Sequence, residues 1–168
     1  MASSDINLNK GTLIIMSNLS NKDLKNINDS LVYGVTLFET VANYTANQQK
    51  KEKWLRLKLL VEKTQERYYA YMKDNDKAVI NSKFPVIKGK IEGLGLSVLP
   101  WLIFMRLLAS GTKPFLKKFQ TFVDGSVESE KPFFEFLYAH EKAVESFAKL
   151  EMKGDKKSLE QAETLIAS

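Results

Sequence analysis

A chain of 168 residues, 44% of them hydrophobic and 27% charged, is long enough for one self-sufficient core and too apolar to stay disordered. It has no cysteine and a single histidine, His140, which excludes disulfide scaffolds, thiolate chemistry and any metal site needing two imidazoles. The net charge of +5 is uneven: residues 1–123 hold 19 basic and 10 acidic side chains, whereas residues 124–168 hold 6 and 10.

Residues 1–21 read as a loosely ordered N-terminal extension. They lack a basic segment followed by a long apolar run, so no secretory signal is expected, and Met16 offers a second start. Residues 22–168 read as a single helical-bundle domain. After Asn21-Lys22-Asp23, the apolar positions Leu24, Ile27, Leu31, Val35, Phe38 and Ala42 fall at steps of three and four. This spacing predicts a first helix running to about Asn47. The polar turn Asn47–Lys51 leads to a second helix from about Lys53 to Lys73, with Trp54, Leu57, Val61, Gln65, Tyr68 and Met72 on one face. So short a connection makes the two helices antiparallel neighbours. Pro85, Gly89, Gly93, Gly95 and Pro100 break the middle of the chain into short helical pieces. Pro100 opens a helix over Trp101–Ala109, Gly111–Pro114 resets the chain, and Phe115, Leu116, Phe119 and Phe122 mark another helical face. Phe133, Leu137, His140, Val144 and Phe147 give the clearest stripe, closed by Gly154 as a C′ glycine. A final helix carries Leu159, Ala162 and Ile166. The expected class is all-α: four longer helices plus short helical segments.

The residues able to carry chemistry are few. His140 stands at the centre of an apolar stripe with Glu141 beside it, Glu39 flanks the first stripe, and Glu62 and Gln65 lie one turn apart on the second helix. Folding the first two helices about their turn brings Glu39 within a turn of Glu62. Carboxylates from several helices plus an inward imidazole are how bundles assemble metal centres, so Glu39, Glu62, Gln65, His140 and Glu141 form a candidate metal set. The competing expectation is structural, with Glu62 or Glu141 bonded to His140 or paired with Arg67 near the core edge.

The stretch Phe133-Phe-Glu-Phe-Leu-Tyr-Ala-His-Glu-Lys-Ala-Val-Glu-Ser-Phe-Ala-Lys-Leu-Glu-Met-Lys-Gly154 resembles the last long helix of the ferritin-like four-helix-bundle superfamily, in a bacterial branch of unassigned function. Thr36-Leu-Phe-Glu-Thr-Val-Ala42 and Leu59-Leu-Val-Glu-Lys-Thr-Gln-Glu-Arg67 resemble that superfamily's first hairpin, and the likeness covers about residues 28–152. It implies a bundle of the kind that holds two bridged iron ions through lone glutamates and Glu-x-x-His pairs. Glu39 matches the first lone glutamate, and Glu62-Lys-Thr-Gln65 matches a Glu-x-x-His whose histidine has become glutamine. Glu92 is a weak match to the second lone glutamate, and Leu137 stands where His140 would need a glutamate. The resemblance therefore implies at most one iron or other divalent ion, equally none, and a binding or accessory protein. The alternative is a metal-dependent, non-haem iron oxidoreductase with a histidine-poor carboxylate site.

A further alternative is a peripheral membrane or lipid-binding protein. Gly93–Gly111 carries one charge, Arg106, yet Pro100 and glycine interrupt it as a spanning helix. It is expected to pack as core across the bundle end. The competing placement lays residues 86–118 on an anionic membrane surface, Trp101, Leu102, Ile103 and Phe104 entering lipid while Lys88, Lys90, Lys113, Lys117 and Lys118 meet head groups. Ferritin-like demethoxyubiquinone hydroxylases are membrane-associated, which agrees with that placement. The expected location is cytoplasmic or peripheral to a membrane, with a homodimer as a candidate assembly. Nucleic acid is not an expected partner, because lysine outnumbers arginine and no reading motif occurs.

Overall fold

The computed structural model describes residues 19–168; of the extension read over residues 1–21, residues 1–18 with the second start at Met16 lie outside them, and Asn21 already opens the first helix. Among the described residues every regular element is a helix: α1 (Asn21–Tyr44), α2 (Gln48–Asp74), α3 (Phe84–Ser97), α4 (Trp101–Gly125), α5 (Lys131–Met152) and α6 (Glu160–Ala167). Four are long and two are short; the all-α class is the expected one, while α4 joins two segments that the spacing separates.

Local chemistry sets the ends. Ser20 and Asp23 form a reciprocal capping box at the start of α1, where the Ser20 hydroxyl accepts from the Asp23 N–H at 3.1 Å. Asn47 accepts from the Lys50 N–H at 3.0 Å and starts α2 five residues earlier than the apolar stripe suggests. Gly154, at φ +70°, follows the end of α5 in the left-handed conformation that glycine adopts without penalty.

Helices α1 and α2 form one hairpin and α4 and α5 another, with α2 against α5 and α6 against both. At the centre the Trp54 indole lies 5.8 Å from the Phe38 ring, 4.7 Å from Phe104 and 6.0 Å from Phe147. One side chain from each long helix thus meets in an aromatic cluster.

Two segments depart from the expected pattern. Pro114 does not reset the chain but lies inside α4. An internal proline costs about 3 kcal/mol, which the extensive packing of α4 along α5 offsets. The proline- and glycine-rich middle is one helix, because its breakers share a face. Pro85 occupies the first turn, and Pro85, Gly89 and Gly93, four residues apart, are the buried residues of α3. Their lack of bulk lets α3 lie directly on α1. A Cβ on Gly89 would sit 2.9 Å from Thr36 Cβ and 3.0 Å from the Tyr33 carbonyl oxygen; one on Gly93 would sit 2.8 Å from Thr40 Cβ.

Gly89→Ala is therefore expected to destabilise the protein by about 1–3 kcal/mol through overpacking. Gly95→Ala, where the new methyl meets nothing within 4 Å, is expected to stabilise by about 0.5–1 kcal/mol through helix propensity. Urea denaturation of both variants reads the opposite signs. Equal effects would mean that α3 does not press on α1 through its glycines.

Candidate functional site

Helices α1 and α4 do not pack against each other along their lengths. The space between them, closed by α3 on one side and α5 on another, is a cavity of about 460 Å³, in the size range of small-molecule sites. Each wall is one helical face. From α5 come Leu137, His140, Glu141 and Val144, at steps of three, one and three. From α4 come Phe104, Leu107, Leu108, Gly111, Thr112 and Phe115, and from α1 Ser30, Tyr33, Leu37 and Phe38. The lining is mainly apolar, with its polar groups at a few points. Phe84, Leu107 and Phe115 line the cavity and are also exposed at the surface, so they mark its mouth.

His140 is buried, and its Nδ1 lies 2.8 Å from Thr64 Oγ1. The Thr64 hydroxyl donates its one proton to the Leu60 carbonyl at 2.8 Å, so its oxygen accepts from His140 Nδ1–H. That assignment leaves Nε2 as an acceptor with no hydrogen-bond partner among the described residues. Desolvation holds the imidazole at a pKa of about 4, despite the opposing effect of the Leu60 carbonyl, and the ring is neutral at pH 7.

Glu141 faces the cavity without a cation beside it. Desolvation alone raises its pKa to about 8, so at neutral pH it is mainly an uncharged carboxylic acid able to donate a hydrogen bond. Nearby on the wall, Asp29 pairs with Lys25 through one oxygen, while its Oδ1 is buried without a partner.

The five residues singled out as a metal set do not converge. Glu39 and Glu62 lie on the outer side of α1 and α2, both paired with Lys58, at 3.5 and 2.9 Å. Gln65 is half-buried and, like Glu39 and Glu62, does not line the cavity; only His140 and Glu141 do. Among the described residues no group of three or more His, Asp or Glu side chains is placed to hold a metal ion. Glu92, the other carboxylate considered, accepts a hydrogen bond from the Tyr33 hydroxyl and lies near Lys88. The expected bond between His140 and Glu62 or Glu141 is replaced by one to Thr64. That residue carries a signal in the sequence: on the face of Leu57, Val61, Tyr68 and Met72, position 64 is the one in phase with burial, and Thr64 is fully buried.

The apolar run from Gly93 to Gly111 divides between core and surface rather than packing wholly inside. Phe104 and Met105 are buried, Trp101 is half-buried, and Leu102, Ile103 and Leu107 are exposed. No helix among the described residues is long and apolar enough to cross a membrane. No protein-family model, curated protein or solved structure matches this chain.

Proposed function

We propose that this chain is a binding protein for a small, uncharged, largely apolar molecule carrying one hydroxyl or amide group. The observation that carries this reading is the cavity wall at His140 and Glu141. There a neutral imidazole whose Nε2 is left as an acceptor and a carboxyl that burial holds protonated line the same wall from consecutive positions of α5. A hydroxyl can donate to the first and accept from the second, while its hydrocarbon fills the apolar space. At His140 and Glu141 a charged ligand end would lose its hydration without a free counter-charge, which costs several kcal/mol, since the charged groups of the wall, Asp29 and Lys88, are paired with Lys25 and Glu92.

The helix order supports a ferritin-like bundle as the architecture: two hairpins of long helices joined by a connection that contains α3. On that reading the bundle serves for apolar binding, since Glu39 and Glu62 lie on its outer side and its centre is aromatic.

Calorimetric titration at pH 7 with decanol, decanoate and decylammonium tests the proposal. Decanol is expected to bind and to raise the melting temperature, with decanoate and decylammonium weaker by at least about tenfold. Glu141→Leu is expected to weaken decanol binding by about 1–2 kcal/mol. Failure of all three to bind would end the reading. Tighter binding of decylammonium than of decanol would show that a carboxylate of the wall, Glu141 or Asp29, acts as the anion, and would overturn the uncharged class.

A further inference from the structure

Helix α3 presents its small residues inward and its large ones outward. Phe84, Ile87, Ile91, Leu94 and Val98, at steps of three and four, form a continuous stripe in which every member is at least 44% exposed. Leu107 of α4 continues this apolar surface, since it bounds the same cavity mouth as Phe84 of α3, and Leu102 and Ile103 are exposed on the first turn of α4. Isolated exposed apolar residues are ordinary; a five-residue stripe along one helix and its C-cap, continued by Leu107 of the next, marks an interaction surface.

Its charged surroundings indicate the partner. Between residues 83 and 118 there are seven basic side chains and one acidic one, Glu92. Lys83, Lys90, Arg106, Lys113 and Lys117 are exposed and have no carboxylate partner among the described residues. An outward apolar stripe flanked by unpaired cations is the pattern of a helix lying in the plane of an anionic bilayer, its apolar side among the acyl chains and its lysines at the head groups. A second copy of the chain fits poorly, because apposing two such faces would bring like charges together. A bilayer with acidic lipids supplies both the apolar medium and the counter-charge.

We propose that α3 and the first half of α4 form a docking face for the surface of an anionic membrane. The face differs from the segment singled out in the sequence: Phe104 is core, and the helix just before it supplies most of the contact. The inference stands independently of what the cavity binds. In the docked orientation the cavity mouth opens toward the lipid.

Co-sedimentation of the full chain with vesicles of phosphatidylcholine alone, or with about a third phosphatidylglycerol, tests it. Binding is expected only to the anionic vesicles, falling several-fold when salt is raised from about 0.1 M to 0.5 M. The double variant Ile87→Glu/Ile91→Glu is expected to lose at least about tenfold in partitioning. Both residues are exposed, so its circular dichroism spectrum and melting point should match those of the wild type. Lys83→Glu/Lys90→Glu should weaken binding to anionic vesicles several-fold. Wild type remaining in the supernatant with both vesicles would overturn the proposal, as would unchanged binding by Ile87→Glu/Ile91→Glu. A dimer in light scattering that this variant dissociates, without vesicle binding, would assign the face to a second copy instead.

Discussion

Trp54→Ala is expected to cost about 4 kcal/mol, a large fraction of the stability of a domain this size. The indole is 1% exposed and contacts aromatic rings from α1, α4 and α5: Phe38, Trp101, Phe104 and Phe147. Truncation removes the only large side chain that α2 contributes to this cluster and leaves a hole that four helices would have to collapse to fill. Trp54→Phe, which keeps a ring in place, is expected to cost half as much or less. Urea denaturation followed by circular dichroism measures both. A loss below about 1 kcal/mol for the alanine variant would mean that the helices do not meet at this residue.

Helices α1, α2 and α5 were legible because each has an apolar stripe with helical spacing and polar residues at its ends. His140 as an interior residue was legible for the same reason. What misled was chemistry whose meaning depends on a partner helix. Gly89 and Gly93 read as breaks, yet they are the surface on which α3 lies against α1. Pro114 read as a stop, but α4 continues through it because its packing against α5 outweighs one missing hydrogen bond and the local clash. For the site, one residue of helical phase decided the outcome. A step of 100° separates Thr64 from Gln65, and spacing alone admitted either to the α2 stripe; the structure buries Thr64 against His140. Glu39 and Glu62 stood on the flank of their stripes. A flanking carboxylate with Lys58 in reach stays at the surface, where the pair keeps its hydration. The cavity itself had no signature in the sequence, because it depends on α1 and α4 standing apart.

The pH dependence of stability should carry the mark of the two titratable groups that α5 sets on the cavity wall. Unfolding returns the Glu141 carboxyl from about 8 to its ordinary 4.5, and the His140 imidazole from about 4 to 6.5. Between pH 4.5 and 8 the native state holds the Glu141 proton that the unfolded chain releases, so this residue's contribution falls as pH rises, by about 5 kcal/mol in all. Between pH 4 and 6.5 the unfolded chain holds a His140 proton that the native state excludes, so the histidine's contribution rises with pH, by about 3 kcal/mol. Where the windows overlap, from about pH 4.5 to 6.5, the two slopes cancel. Above pH 6.5 only Glu141 still titrates differently in the two states, and stability should drop by about 2 kcal/mol by pH 8. Glu141→Gln keeps the size and polarity of the protonated acid but cannot ionise. In that variant stability is expected to rise from pH 4 to 6.5 and then hold level to pH 8. Urea denaturation across pH 4 to 8 distinguishes the two profiles. If wild type and Glu141→Gln decline equally above pH 6.5, Glu141 is not the protonated acid of the cavity, and the uncharged-ligand reading that depends on it falls as well.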